Sequence, residues 1–146
     1  MSFKMSEEMR RLHHTIDTKS ENGKLDMWDV YYFCSIVGMT KGKLGNGNDL
    51  KEFSKVYPAS YQNMRHSIVA ALITAELVRT GQNFEKENIT AIFRRLVDDS
   101  SLMLNIDGLS TLDKYAEGGL QLVLERGTGI RDRIQFLREC KDVIDE

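Results

Sequence analysis

The segment Lys41-Gly42-Lys43-Leu44-Gly45-Asn46-Gly47 places two lysines and three glycines within seven residues. Glycines allow backbone N–H groups to approach phosphate oxygens, and lysine adds the charge. A P-loop would need Gly-Lys-Ser/Thr after a strand and a helix opening behind it. Here the chain runs on into acidic Asp49 and Glu52, which excludes that motif. Two readings stay open: an ordinary interhelix loop, or contact with nucleic-acid phosphate through Lys41, Lys43, Lys51 and Lys55 as point charges.

Other reactive residue types are sparse. His13 and Asp17 are four apart and share a helical face, with His14 beside them, but a metal needs three or four ligands and none lies near in sequence. They read as surface residues of an N-terminal helix, and His66 is isolated. Adjacent Asp98 and Asp99 point about 100° apart on a helix, not at one substrate. Ser100, Ser101 and Ser110 lack a Gly-x-Ser-x-Gly setting, and Asp107-Gly108 reads as a turn. Cys34 and Cys140 stand 106 positions apart, and Cys34 sits in the apolar run 31–37 as a small buried hydrophobe. No catalytic, metal or cofactor-binding residue emerges, so the chain is expected to act without a cofactor and not as an enzyme.

Gly118-Gly119 is unusual, because two adjacent glycines in a helical pattern cost roughly 1 kcal/mol each relative to alanine. Close approach of another helix would offset that. So would a partner docking on the bare surface of Gly118 and Gly119.

The 146 residues are 41% hydrophobic and 29% charged, which suffices for one domain over 1–146 with a core of its own. Lys and Arg number 20 against 22 Asp and Glu, a net charge of -2. Residues 1–84 carry 11 basic and 9 acidic side chains, net +2, and residues 85–146 carry 9 and 13, net -4. A dedicated DNA-binding domain usually carries a basic stripe, which this balance does not suggest. The Arg126, Arg131, Arg133 and Arg138 group is diluted by acids and reads as a solvated, ion-paired face. No run of about 18 apolar residues spans a membrane, and the first residues lack an apolar signal region. A cytoplasmic protein without membrane contact is expected.

One proline and apolar residues at helical spacing predict an all-α, compact bundle of about six helices. Met5, Met9, Leu12 and Ile16 mark a first helix ending before Asn22-Gly23. Asp26 caps a second through Val37, stopped at Gly38, although that apolar run also fits a buried strand. Residues 39–63 form turns with a short helical piece near 49–55. A third helix over about 63–80 is apolar nearly all round at its centre and is predicted to be the central buried one. Helices over about 85–103, 110–125 and 129–145 complete the bundle, the last two separated by Gly127 and Gly129.

Two segments carry a resemblance. Asp29-Val30-Tyr31-Tyr32-Phe33, followed by Gly38-Met39-Thr40-Lys41-Gly42-Lys43, resembles a helix leading into G-x-x-x-G-K/R. Tyr115-Ala116-Glu117-Gly118-Gly119-Leu120 resembles a matching C-terminal Y-A-x-G-G-hydrophobic helix. Both occur in that order in the small helical accessory proteins of bacterial Dnd systems, which modify DNA by phosphorothioation and restrict foreign DNA. This chain departs where the family pattern runs on into a Pro-Leu-like segment, because Leu44-Gly45-Asn46-Gly47 intervenes. The resemblance implies a non-enzymatic subunit of a DNA-modification or antiphage defence system. Its implied partners are larger nuclease, helicase or ATPase components, with DNA a second candidate. The alternatives are a helical DNA-binding regulator using Arg94 and Arg95 on 88–103, and an enzyme whose site assembles from distant residues such as His13, His14, His66 or Cys34.

Overall fold

A computed structural model describes residues 2–19, 25–126 and 129–146. The elements are β1 (Phe3–Met5), α1 (Glu7–Lys19), α2 (Met27–Lys41), β2 (Lys51–Ser54), a 3-10 helix (Ala59–Met64), α3 (Arg65–Arg79), α4 (Lys86–Leu96), α5 (Ile106–Arg126) and α6 (Arg133–Asp145). Six α-helices among the described residues match the apolar spacing. The fold is mostly but not purely helical, because β1 and β2 pair as a two-stranded antiparallel ribbon. The predicted breaks at Asn22-Gly23 and Gly127 lie outside the described residues.

The ribbon corrects two expectations. Ser6 Oγ accepts the Met9 N–H at 3.1 Å and so caps α1, with Glu7 and Glu8 in its first turn, which leaves Met5 outside the helix. Phe3 and Met5 point inward and Lys4 outward, the period of a strand. Met5 lies opposite Lys51, Lys4 opposite Glu52 and Phe3 opposite Ser54, so Phe53 is an extra residue on β2. The segment 49–55 is therefore largely strand, not helix, and its Phe53 ring packs 5.0 Å from Tyr31. Trp28 stands at the middle of this aromatic cluster, with ring centroids 4.7 Å from Phe3, 5.4 Å from Tyr57 and 5.1 Å from Tyr61. These edge-on and tilted rings fasten the ribbon to α2.

The second apolar run is a helix. The Asp26 N–H donates to Asp29 Oδ2 at 2.9 Å, closing the N-terminal turn. The predicted stop at Gly38 is corrected: α2 continues to Lys41 and ends at Gly42, whose φ of 66° is the left-handed conformation that glycine adopts freely. The predicted helix over 85–103 ends at Leu96, where Val97 turns extended and bridges to Leu104. Asn105 then starts α5 early, accepting the Gly108 N–H at 2.8 Å. Asp132 opens α6 by accepting the Gln135 N–H at 2.8 Å.

The central helix is α5, not α3. Its Leu109, Leu112, Tyr115, Ala116, Leu120 and Val123 are all buried, whereas Val78 on α3 is 64% exposed. Asp113 and Glu117 interrupt the apolar pattern of α5 and disguise its central position in the sequence. Among the described residues no helix is long and apolar enough to cross a membrane.

Candidate functional site

The two sequence blocks set apart above meet in space. A Cβ built on Gly38 would lie 1.9 Å from the Tyr115 carbonyl oxygen, and one on Gly119 would lie 1.8 Å from that of Cys34. One on Gly118 would lie 2.0 Å from the Lys43 carbonyl oxygen. Gly118 and Gly119 are thus buried under the chain's own α2 and the loop behind it. This corrects the docking reading for both residues, because no bare surface is left on them for a partner.

The same contact fixes the glycine-lysine loop. The Lys43 N–H donates to Gly38 O at 2.9 Å, and the Gly45 N–H donates to Lys114 O at 2.7 Å. A Cβ on Gly45 would fall 2.6 Å from that of Glu117, so the loop lies flat on α5. Lys41 and Lys43 leave this anchored backbone exposed to solvent. Lys51 and Lys55 are exposed as well, but they belong to β2 and the bend after it. No described acidic side chain forms an ion pair with any of the four.

Sequence spacing does not single out three buried carboxylates: Glu76, Asp113 and Glu117, which are 2, 3 and 8% exposed. Asp113 and Glu117 stand one turn apart on α5 and face the N-terminal ribbon. Asp113 Oδ1 accepts the Tyr31 hydroxyl at 2.7 Å and the Lys4 N–H at 3.1 Å. Glu117 Oε2 accepts the Ser6 N–H at 3.2 Å. Burial pushes Asp113 up to about 7 against the pull of its hydrogen bonds, and burial likewise raises Glu117. Asp113 can therefore exchange a proton near neutral pH, and it lines a cleft of about 400 Å³ with Lys4, Asp49 and Ser110. No His or Cys is among the described residues lining that cleft.

Glu76 has the opposite character. Burial raises its pKa, but donors outweigh that and hold it down at about 2. Arg79 Nε donates at 2.7 Å, the Tyr115 hydroxyl at 2.5 Å, and Arg95 Nη2 closes the set. Arg95 is thereby tied to α3. The helix expected to carry Arg94 and Arg95 through residue 103 ends at Leu96, with Arg95 paired to Glu76 and 48% exposed.

Several of the remaining candidates are tied into the fold. His13 Nε2 bonds the Leu25 carbonyl at 2.8 Å. Cys34 and Cys140 are buried free thiols, with burial raising Cys34 well above its ordinary value and Cys140 to about 12. Such thiols are poor nucleophiles. Asp98 accepts the Ser100 N–H at 3.0 Å and its hydroxyl at 2.8 Å, which lowers its pKa and closes a turn. Among the described residues no three His, Cys, Asp or Glu side chains gather as a metal site. Arg126 pairs with Glu139, Asp142 and Glu146, so its ion pairs join α5 to α6 instead of supporting one helix. Comparison with protein-family models, curated proteins and solved structures finds no match.

Proposed function

We propose that the chain is a non-catalytic interaction subunit of a bacterial DNA-modification or antiphage defence system, holding larger protein components and touching DNA through Lys41 and Lys43. The observation that carries this reading is the anchored loop, with two exposed lysines that lack acidic partners on a backbone fixed between α2 and α5. A rigid cationic contact loses less conformational entropy on binding than a mobile one. The resemblance to Dnd accessory proteins supports the biological setting, and its two blocks form the two sides of this one contact. Lys51 and Lys55, exposed on β2 and the bend after it, are further candidate DNA contacts.

The test is recovery of partners by the tagged full chain from its native host. Copurification of nuclease, helicase or ATPase components is expected. Recovery of none, together with no retention on DNA at low salt, would overturn the reading.

A further inference from the structure

A second feature lies away from the lysine loop. The bend after β2, the 3-10 helix and the connection from α4 to α5 enclose a cleft of about 570 Å³. Clefts of roughly 300–1,000 Å³ accept small molecules. Its floor is apolar, formed by Phe3, Tyr57, Leu104 and Leu109, and Val56 and Met103 continue the apolar wall. Its cationic lining residues are Lys55 and Arg65, and His66 also lines it, with no Asp or Glu among the described residues that do.

Two polar observations locate where a ligand head group would sit. Tyr57 is 5% exposed, and its hydroxyl is buried without a hydrogen-bond partner among the described residues. A buried hydroxyl left in that condition is unfavourable, so a group that accepts from it gains the full benefit. Arg65 is near enough to act electrostatically on the same hydroxyl. Its guanidinium is oriented by Gln62, accepting at 2.8 Å, while Gln62 Nε2 donates to the Tyr57 carbonyl at 2.7 Å. That leaves most of the five guanidinium donors for a carboxylate, which it can bind bidentately.

We propose that this cleft binds a small amphipathic carboxylate, its apolar body on the Phe3–Leu109 floor and its head group between Arg65 and the Tyr57 hydroxyl. The proposal does not rest on the lysine loop or on the partner reading, although Lys55 in the lining is also a candidate DNA contact. It was not legible in the sequence because 55–66 and 101–109 are joined only by the fold.

The chain's one tryptophan, Trp28, packs 5.4 Å from the Tyr57 ring, so its emission reports occupancy. The full chain is titrated with octanoate, 1-octanol and octyltrimethylammonium, all below their aggregation concentrations. Saturable binding of octanoate is expected, with the neutral and cationic analogues at least tenfold weaker. Arg65→Gln is expected to weaken octanoate at least tenfold. Tyr57→Phe should weaken it severalfold while leaving the ligand-free protein at least as resistant to heat, a combination that a merely structural hydroxyl would not produce. If Arg65→Gln fails to fold, Lys55→Gln/His66→Gln serves instead, with a loss of threefold or more expected. No saturable response to octanoate, equal affinity for the three amphiphiles, or unchanged affinity in the variants overturns the proposal.

Discussion

The carbonyl oxygen of Cys34 occupies the place where a side chain on Gly119 would begin, 1.8 Å from the ideal Cβ position. Tyr115 O stands in the same relation to Gly38. α2 and α5 therefore meet backbone to backbone, and each glycine is required by the helix opposite it. The propensity lost at Gly118-Gly119 is offset by the contact it permits, and the same contact holds the lysine loop.

Gly119→Ala is expected to destabilise the chain by about 3 kcal/mol or more, because backbone cannot yield as a flexible side chain can. Gly81 has open space around it but a φ of 71°, so Gly81→Ala should lose only about 1 kcal/mol from strain. Urea denaturation of the two variants measures the difference. Equal losses would show that α2 and α5 are not in such close contact.

Glu76→Gln should destabilise the protein by about 2 kcal/mol at neutral pH, through weaker bonds to Tyr115 and the two arginines. The loss stays moderate because Arg79 and Arg95 are 33 and 48% exposed and remain partly hydrated. The contribution of Glu76 is present above its ordinary value of 4.5 and lost as pH falls towards about 2. The stability of the variant should accordingly fall less on acidification than that of the wild type.

Asp113 gives the opposite slope. Its carboxyl titrates at 3.8 when unfolded and about 7 when folded, so between those values the folded chain holds the extra proton. Stability must then fall as pH rises through that window, by an amount on the order of 4 kcal/mol. Raised Glu117 adds to the same trend. Asp113→Asn keeps an acceptor for Tyr31 and Lys4 but removes the charge. Denaturation midpoints at about pH 5 and about pH 8 should differ much less in the variant than in the wild type. Parallel behaviour of the two proteins would assign the slope elsewhere.

Helix number and most helix centres are legible in the sequence because apolar residues such as Met9, Leu12 and Ile16 repeat at helical spacing. On α6 the buried residues are Phe136, Cys140 and Val143, while Ile134 is 55% exposed. The ribbon is not legible. Met5 happens to continue the spacing of α1, and β2 is four residues whose identity as a strand depends on pairing with residues 3–5. Gly38 shows a different limit: a glycine after an apolar run signals a stop, but here it signals a crossing that only the partner helix reveals. The lysine loop is visible by composition, whereas Glu76, Asp113 and Glu117 are ordinary helix formers until burial gives them their character. The cleft at Tyr57 joins segments whose proximity no local pattern encodes.

Retention on duplex DNA across a salt series, comparing the wild type with Lys41→Glu/Lys43→Glu, tests the proposed contact surface most directly. The wild type should be retained at low salt. The double variant should bind at least tenfold more weakly, with a log–log salt slope shallower by about 2, since each lysine that meets phosphate releases close to one counterion. Identical affinity and slope in the two proteins would contradict the assignment of this loop to DNA.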